Sequence, residues 1–323
     1  MFKVLVTTHP FAEYNLQPIE ILQHHGCEVI RNSQKAKFSR TELINMIKNA
    51  DALIAGVEKL DQPLLEHAPK LKIIARVGIG LDNVDFDYTN AKGIKVTYTP
   101  DAPSRSVAEL TMGMIIDLAR YLTFADQQIK LGKWQRYTGV ILEGKTLGIV
   151  GLGRIGRLVA QLAAPFGMKI LTHDILPNHS FINSNNLILV SKEEIIANSD
   201  FLTMHIPLYS KTINYLDYQQ LSAMRHGSFL INTSRGGIIN ELALAEVMRS
   251  GHLRGAALDV FCEEPYNLQK NSLLAQFPNM IFSAHMGSCT REGRYLMEYG
   301  AAKSIVDIIT GKKPEHLVTE AGY

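Results

Sequence analysis

The chain has 323 residues, 46% of them hydrophobic, which is enough for two domains that each bury a core of their own. Its 33 basic and 31 acidic residues are spread along the sequence and leave a formal net charge of +2. No run of one sign could follow a phosphate backbone or an anionic membrane, so nucleic acid and membranes are not expected as partners.

The beginning of the chain and its cysteines indicate a cytoplasmic protein. Residues 1–8 (MFKVLVTT) are typical of a first buried strand and lack the length and cleavage site of a secretory signal. No apolar stretch approaches the about 20 residues of a membrane span. The scattered cysteines Cys27, Cys262 and Cys289 suit a reducing compartment better than a disulfide framework.

Short apolar runs alternate with segments of helical periodicity along the whole chain. The strand-like runs are residues 3–8, 28–31, 52–55, 72–77, 95–98, 146–150, 169–173, 201–205, 228–232, 255–260 and 280–283. Between most of them, apolar positions recur three and four residues apart, as in residues 242–248. This alternation predicts βαβ units and a fold of the α/β class with mainly parallel sheets.

One helical pattern is longer than the others. It runs from residue 104 to about residue 131 and is apolar on more than one side. Its apolar positions include Val107, Leu110, Met114, Ile115, Leu118 and Leu122. We expect a single helix that links two domains and also faces a partner subunit, giving a homodimer through the helix after residue 104.

Three glycines follow the apolar run 146–150 in the pattern G-x-G-x-x-G, at Gly151, Gly153 and Gly156. After a strand, the first glycine permits a tight turn, the second lets a pyrophosphate approach the backbone, and the third lets the next helix pack closely. The positive end of that helix would also favour the phosphates. Glycines collect in many turns, so the spacing alone is a weak signal, but the strand before it and the helical run after it predict a dinucleotide site.

An acidic residue, Asp174, ends the next strand-like run. A carboxylate at this position accepts hydrogen bonds from the ribose hydroxyls and repels a 2′-phosphate. The sequence therefore favours NAD over NADP as the cofactor.

A second phosphate-binding pattern is present at residues 139–146 (GVILEGKT), which satisfies G-x-x-x-x-G-K-[ST]. That motif requires a helix directly after its Lys-Thr pair. Here the pair leads into the strand-like run 147–150 instead, so we interpret the match as chance.

Three later segments place polar side chains at expected carboxyl ends of strands, where open parallel sheets bind their ligands. They are residues 232–237 (NTSRGG), 258–265 (LDVFCEEP) and 283–288 (SAHMGS). Each could simply present a charged residue to water. Together they offer an arginine for an anion, a carboxylate, and a histidine that could act as general acid and base.

Several stretches resemble the D-isomer-specific 2-hydroxyacid dehydrogenases, particularly their phosphoglycerate dehydrogenase branch. These stretches are residues 76–85 (RVGIGLDNVD), 144–157 (GKTLGIVGLGRIGR), NTSRGG, 256–265 (AALDVFCEEP) and 285–288 (HMGS). The resemblance covers nearly the whole chain. It implies an NAD-dependent oxidoreductase that interconverts a D-2-hydroxy acid and its 2-oxo acid, with 3-phosphoglycerate as one candidate substrate.

The resemblance assigns catalytic roles to Arg235, Glu264 and His285. Arg235 would fix and polarise a 2-oxo acid, because its planar fork of donors suits a carboxylate and the neighbouring carbonyl. His285 would give a proton to the carbonyl oxygen as hydride arrives and take it back in the reverse direction. Glu264 would orient the imidazole and stabilise the imidazolium. Its neighbour Glu263 is the alternative carboxylate.

The resemblance also implies a set of binding residues. The cofactor contacts are Gly151, Gly153, Arg154, Ile155, Gly156, Asp174, Ile206, Thr233, Ser234, Asp259, Gly287 and Ser288, with Asp259 directed towards the nicotinamide amide. The substrate contacts are Arg76, Val77, Gly78, Ile79 and Arg136. The backbone of residues 77–79 would cradle the substrate carboxylate.

One departure from the relatives concerns a substrate phosphate. Gly56 stands where phosphoglycerate dehydrogenases carry an arginine, although Lys59 is close by. This weakens the case for 3-phosphoglycerate. No regulatory domain is expected after the final helical run, residues 293–309.

Most of the other histidines show no spacing typical of metal ligands, and we predict no metal site. These are His24, His25, His67, His173, His226 and His252. His205 lies at a strand end near the expected cofactor, where a place in the site and a packing role are equally compatible with the sequence.

Two α/β domains with a cleft between them are predicted. A Rossmann NAD-binding domain, residues 99–288, is inserted into a flavodoxin-like substrate domain formed by residues 1–98 and 289–323. The alternative function is an NAD-sensing binding protein of the corepressor type that resembles the same family.

Overall fold

The computed structural model describes residues 1–31, 38–267 and 272–319. The chain divides into two compact units. Unit 1 contains Met1–Pro103 and the chain from Ser288 onward, and unit 2 is Ser104–Gly287. The first boundary follows Pro103 rather than residue 98, because Thr99 remains bound to unit 1: its N–H donates to the carbonyl of Gly78 at 3.0 Å. Of the predicted C-terminal segment, residues 320–323 lie outside the described residues.

Unit 1 is built on a five-stranded parallel sheet with the order β2-β1-β3-β4-β5. Its strands are β1 (Phe2–Val6), β2 (Cys27–Arg31), β3 (Ala52–Ala55), β4 (Ile73–Arg76) and β5 (Lys95–Thr97). Its helices are α1 (Gln17–His24), α2 (Arg40–Ile47), α3 (Gln62–Leu65), α4 (Phe86–Ala91) and the last helix of the chain, α13 (Arg291–Ile309).

The central strands β3 and β4 are buried on both faces of this sheet, which explains why residues 52–55 and 73–75 are apolar without alternation. Val4 and Val6 belong to a core with α1 and α13. Leu5, between them, points to the opposite face and belongs to a core with α2 and α3.

Unit 2 is built on a seven-stranded parallel sheet with the order β12-β11-β10-β9-β6-β7-β8. Its strands are β6 (Thr146–Val150), β7 (Lys169–His173), β8 (Ile188–Leu189), β9 (Phe201–Met204), β10 (Phe229–Asn232), β11 (Gly255–Leu258) and β12 (Met280–Phe282). Its helices are α5 (Ser104–Arg120), α6 (Leu122–Lys130), α7 (Arg154–Ala163), α8 (His179–Ser184), α9 (Lys192–Asn198), α10 (Tyr218–Ser222), α11 (Glu241–Arg249) and α12 (Ser272–Ala275).

Helices cover both faces of this second sheet. One core is formed with α5 and α7, and the other with α9, α10 and α11. All strands of unit 2 are parallel, so the segments that follow β6, β7, β9, β10, β11 and β12 emerge at one edge of the sheet. That edge carries the polar segments singled out by the sequence, and the predicted α/β class with mainly parallel sheets is confirmed for both units.

The prediction of one continuous helix over residues 104–131 is wrong. The helix ends at Arg120, because Tyr121 takes a left-handed backbone with φ 58°, and α6 then begins in a new direction. Asp117 stabilises the break by accepting hydrogen bonds from the backbone N–H of Thr123 at 2.8 Å and from its hydroxyl. Both helices belong to unit 2, and the apolar residues of α5 are largely buried there against α7.

Strand ends shift slightly from their predicted positions, and the two-residue strand β8 had no strand pattern long enough to predict it. Lys145 and Thr146 lead into β6 and not into a helix, which supports the interpretation of the second phosphate-binding pattern as chance. Among the described residues, no helix is long and apolar enough to cross a membrane, and no group of histidine, cysteine and acidic side chains could hold a metal ion.

Candidate active site

The turn after β6 gives its three glycines three different environments. Gly151 has φ +95°, and a Cβ atom there would lie 2.4 Å from the carbonyl oxygen of His205. A Cβ atom at Gly156, in α7, would lie 2.0 Å from the carbonyl oxygen of Gly151. A Cβ atom at Gly153 would meet nothing within 4 Å. Glycine is therefore required at the first and third positions by packing, whereas the second faces open space beside the N-terminus of α7.

Asp174 follows β7 directly and is hydrogen-bonded to the glycine turn. Its Oδ2 accepts from the N–H of Leu152 at 2.6 Å, and its Oδ1 accepts from the N–H of Leu176 at 2.8 Å. The carboxylate thus stabilises the turn itself. Each oxygen has a second lone pair, so the predicted contact with the ribose hydroxyls remains compatible with these bonds.

The turn after β10 is organised by a residue to which the sequence analysis gave no role, Asn232. This side chain is buried, and its Oδ1 accepts from the N–H of Ser234 at 3.0 Å and from the Ser234 hydroxyl at 2.7 Å. Its Nδ2 donates to the carbonyl of Arg235 at 2.9 Å. The hydroxyl of Thr233 lies 2.9 Å from that of Thr111 on α5. Arg235 is half-buried, and its guanidinium donates to the carbonyl of Ser234 at 2.8 Å.

This turn packs tightly on the loop after β11. A Cβ atom at Gly236 would lie 1.9 Å from the carbonyl oxygen of Phe261, so a larger residue cannot occupy the position without displacing backbone. In the same loop, Oε1 of Glu264 accepts from the N–H of Phe261 at 3.0 Å. Its Oε2 lies 2.7 Å from Nδ1 of His285. The structure therefore brings Glu264 and His285 into hydrogen-bond contact, and the charge of Arg235, the third predicted catalytic residue, acts on the same carboxylate.

The charge of Glu264 is stabilised in this setting. Burial by itself would raise the pKa of the Glu264 carboxyl, but the hydrogen bond and charge of His285, the N–H of Phe261 and the charge of Arg235 together lower it below its usual value. The side chains of His285 and Glu264 are 36% and 35% exposed, so the pair is still accessible to a ligand.

His285 lies in a loop, residues 283–287, that surrounds Asp259. Asp259 is buried directly after β11, and its carboxylate accepts hydrogen bonds from Ser283, Met286 and Gly287. The predicted cofactor residues Asp259 and Gly287 therefore contact each other. Ser283 lies in the predicted polar segment 283–288 but had no predicted role, because a serine at a strand end has no signature of its own.

His205 follows β9 beside the glycine turn. The ring atom Nε2 lies 3.0 Å from the hydroxyl of Thr203. The backbone N–H of His205 donates to the carbonyl of Val150 at 2.7 Å. Burial lowers the pKa of His205 to about 3, which keeps the ring neutral. Although the residue is partly exposed, its Nδ1 is inaccessible and has no hydrogen-bond partner in the part of the chain that the structure describes.

In unit 1, the guanidinium of Arg76 is surrounded by backbone carbonyls. The residue is 5% exposed, and its guanidinium donates to the backbone carbonyls of Ala55, Gly56, Val77 and Gly80. The side chain is enclosed by the loops that follow β3 and β4, and the substrate contact at Arg76 stays a prediction.

Two donors of the predicted carboxylate cradle are also engaged within unit 1. The N–H of Val77 donates to the carbonyl of Ala55 at 2.9 Å, and that of Gly78 donates to the hydroxyl of Thr99 at 2.9 Å. Ile79 is half-buried beside them.

The other predicted residues are placed as follows. Arg154 and Ile155 begin α7, and the side chain of Ile206 packs against Gly151, where its Cγ2 would lie 2.9 Å from an added Cβ. Arg136 is exposed in an irregular segment of unit 2, and Ser288 is the first residue of the returning part of unit 1.

The parallel sheet, its glycine turn and the imidazole–carboxylate pair define a dinucleotide-binding α/β protein equipped for acid–base chemistry. Residues 112–287 match the family model described as D-isomer specific 2-hydroxyacid dehydrogenase, NAD binding domain. The chain belongs to the D-isomer-specific 2-hydroxyacid dehydrogenase family.

Individual relatives agree with this assignment. The chain is 38% identical over 98% of its length to D-3-phosphoglycerate dehydrogenase of Methanocaldococcus jannaschii, and it spans 59% of that relative. It is 36% identical to glyoxylate reductase of Thermococcus litoralis over 87% of both chains. Among solved structures, it is similar to D-lactate dehydrogenase from Aquifex aeolicus, complexed with NAD and lactic acid, with a TM-score of 0.83, 27% identity and 96% of each chain covered.

Unit 2 contains the NAD-binding domain of this family, and its residues fit the dinucleotide. The open space at Gly153 leaves the backbone accessible to a pyrophosphate, whereas Gly151 and Gly156 are closed by neighbouring carbonyls. The carboxylate of Asp174 stands at the end of the adjacent strand, where the ribose hydroxyls would bind.

Proposed function

We propose that this chain interconverts a D-2-hydroxy acid and the corresponding 2-oxo acid with NAD. The observation that carries the proposal is the hydrogen bond of 2.7 Å between Nδ1 of His285 and Oε2 of Glu264, at the edge of the sheet that also holds the glycine turn. Bound NAD would supply the hydride acceptor, or in its reduced form the hydride donor.

His285 serves as the general acid and base. Because Nδ1 is engaged by Glu264, Nε2 is the ring atom that carries the transferred proton. In the reducing direction Nε2–H donates its proton to the carbonyl oxygen of the 2-oxo acid, and in the oxidising direction neutral Nε2 takes the proton of the hydroxyl. Glu264 holds the ring in place and offsets the positive charge of the imidazolium.

Arg235 binds and polarises the substrate. Its guanidinium can donate two parallel hydrogen bonds, which matches a carboxylate or a carboxylate oxygen together with the adjacent carbonyl oxygen. Residues 77–79 and Arg136 are retained as proposed substrate contacts from the family resemblance, whereas Arg76 acts by holding the loops around Gly56 and Gly80. With Arg76 enclosed, the described residues favour an unphosphorylated acid over 3-phosphoglycerate.

The proposal is tested with purified protein, NADH and a panel of 2-oxo acids: glyoxylate, pyruvate, hydroxypyruvate and 3-phosphohydroxypyruvate. We expect oxidation of NADH with at least one of them, and loss of kcat by about 100-fold or more in His285→Ala, with NADH binding retained. His226→Ala, at an exposed histidine before β10, is the matched control. Tight NADH binding without turnover of any acid would overturn the proposal and favour a binding protein.

We further propose a homodimer, with the interface moved from the predicted helix to the segment after it. The apolar face of α5 is occupied within unit 2, whereas α6 has no buried residue. Leu131, Trp134 and Ile141 are 69%, 88% and 68% exposed, a concentration of large apolar side chains that suits a second copy of this chain. Light scattering should give the wild type a molar mass of twice the 36.0 kDa of one chain. The double variant that carries Leu131→Ser and Trp134→Ser should have the mass of a single chain. A wild-type chain of single mass would contradict the dimer.

A cytoplasmic location is proposed on the basis of the cysteines. Cys27, Cys262 and Cys289 are free thiols in the structure, and Cys262 and Cys289 are exposed. Exposed thiols suit a reducing compartment. Fractionation of cells that express the tagged chain tests this, and recovery from an oxidising compartment would contradict it.

A further inference from the structure

The loop that follows β3, residues 56–58, lies beside the substrate contacts proposed in unit 1. Strand β3 has β1 and β4 as its neighbours in one parallel sheet, so the segments after these three strands emerge at the same edge. The N–H of Val77 donates to the carbonyl of Ala55 at 2.9 Å, which joins the loop after β4 to the end of β3. Open parallel sheets bind their ligands at this edge. A substrate held by residues 77–79 would therefore also meet the 56–58 loop.

Glu58 places a carboxylate in this loop. The side chain is half-buried, and its Oε1 accepts from the N–H of Gly56 at 3.1 Å and from the hydroxyl of Thr7, directly after β1. Its Oε2 stands over the glycine, since a Cβ atom at Gly56 would lie 3.0 Å from it. Glycine at residue 56 thus leaves the space that the carboxylate occupies. Both hydrogen bonds use Oε1, so Oε2 can still face a ligand.

The backbone of this loop is held by two donors from the neighbouring strand and the segment after it. Arg76, at the end of β4, donates to the carbonyl of Gly56. Nδ2 of Asn83 donates to the carbonyl of Glu58 at 2.6 Å. Together with the two bonds of the Glu58 side chain, these contacts keep the carboxylate in one place. A charge held in this way cannot turn away from an approaching anion without breaking hydrogen bonds.

Two cations near this loop are paired with a different carboxylate. Nζ of Lys59 lies 3.4 Å from Oδ2 of Asp61, and the Lys59 side chain is 78% exposed. The guanidinium of Arg40 also contacts Asp61, and it donates to the carbonyl of Lys59 at 2.8 Å. Because Arg76 is enclosed by backbone carbonyls, the charge that the loop itself presents is that of Glu58.

We propose that Glu58 is a specificity-determining residue that selects 2-oxo acids with an uncharged side chain. Every such substrate has one carboxylate, which Arg235 would bind. A second anionic group, whether phosphate or carboxylate, would approach a fixed negative charge and be repelled. Val57, in the same loop, is 62% exposed and offers an apolar contact to a short uncharged side chain. This inference rests on the proposed function and narrows its substrate class.

The test uses two pairs of substrates that differ by one anionic group: hydroxypyruvate with 3-phosphohydroxypyruvate, and pyruvate with oxaloacetate. In the wild type, kcat/KM should be higher for the member of each pair that has the uncharged side chain. Glu58→Gln removes the charge but keeps the acceptor that binds Gly56 and Thr7. This variant should reduce the ratio of the two kcat/KM values in each pair by about tenfold, which corresponds to about 1.4 kcal/mol. Where the second acid is not turned over, its Ki against reduction of the first acid gives the same comparison.

Glu66→Gln is the matched control. Glu66 is an exposed carboxylate of the same unit, directly after α3, and its loss should leave both ratios unchanged. Salt provides a second measurement that needs no variant, because ions screen the repulsion. Raising NaCl from about 0.05 M to about 0.5 M should reduce both ratios in the wild type. The same change in salt should have a smaller effect on Glu58→Gln.

Two results would overturn the inference. One is a ratio in Glu58→Gln that equals the wild-type ratio, as equal losses with all four acids would give. The other is a wild type that prefers the doubly anionic member of either pair. If Glu58→Gln does not fold, wild-type ratios that do not change with salt would overturn it. Failure of the proposed function is distinguishable, because the wild type would then turn over none of the acids, whereas failure of the inference leaves turnover with unchanged ratios.

Discussion

Nδ1 of His285 lies 2.7 Å from Oε2 of Glu264, and the other oxygen of that carboxylate accepts the N–H of Phe261 at 3.0 Å. One carboxylate therefore joins the loops that follow β11 and β12. The imidazole is oriented by a partner that is itself held by backbone, which restricts both the position of the ring and the atom that can transfer a proton.

Glu264→Gln should lower kcat by about 10-fold to 100-fold, because the imidazolium loses its charged partner.

The stability of the folded chain should change with pH in a defined direction. The pKa of Glu264 is lowered by folding, so the carboxylate stabilises the folded state above its unfolded pKa of about 4.3, and this contribution is lost as the pH falls through the folded pKa. Urea unfolding should give the wild type a larger free energy of unfolding than the variant at pH 7. This difference should shrink below pH 4. A difference that grows on acidification would contradict the assignment.

Gly153→Ala and Gly156→Ala should separate cofactor binding from folding. The added Cβ at residue 153 meets no atom within 4 Å, so the melting temperature should stay unchanged while NADH binds more weakly. At residue 156 it would lie 2.0 Å from the carbonyl oxygen of Gly151, so the chain should be destabilised by about 1–3 kcal/mol or more. Thermal unfolding and NADH titration measure the two effects. Wild-type NADH affinity in Gly153→Ala would show that the pyrophosphate does not approach there.

Asp174→Asn should weaken NADH binding by about tenfold, because the amide accepts hydrogen bonds from the ribose less strongly than the carboxylate does. The preference for NADH over NADPH should also become smaller, because the amide does not repel a 2′-phosphate. The melting temperature should also fall slightly, since Oδ2 holds the N–H of Leu152 at 2.6 Å. Glu66→Gln, on an exposed helix end of unit 1, serves as the control carboxylate. Equal discrimination between NADH and NADPH in wild type and Asp174→Asn would refute the role in cofactor choice.

Arg76→Met should destabilise the chain by about 3 kcal/mol, because several buried carbonyls lose their donor and each unsatisfied group costs about 1–3 kcal/mol. Folded enzyme that remains should keep its KM for the preferred 2-oxo acid. Arg136→Ala, at an exposed position, should leave stability unchanged. Denaturant unfolding and steady-state kinetics are the measurements, and a raised KM for 3-phosphohydroxypyruvate with normal stability would restore Arg76 as a phosphate ligand.

Local patterns were sufficient to predict the α/β class and the glycine turn. Strands that are buried on both faces appear in the sequence as short apolar runs. The glycine turn is recognisable because its three positions need a positive φ, open space and close packing, and glycine satisfies each of these needs. The polar segments at 232–237, 258–265 and 283–288 were located for a similar reason, because strands of one parallel sheet end at one edge.

The tertiary structure alone decided which side chains pair across that edge. The enclosure of Arg76 by the carbonyls of Ala55 and Gly56 and the bonds of Asp259 to residues 283–287 depend on partners far apart in sequence. The hydrogen bonds at the Tyr121 break and those of Asn232 join near neighbours, but no local pattern predicted them. The residue type determines which hydrogen bonds a side chain can make. Which bonds it does make is settled only when loops from different strands meet, since a buried polar group binds the partners that lie within reach.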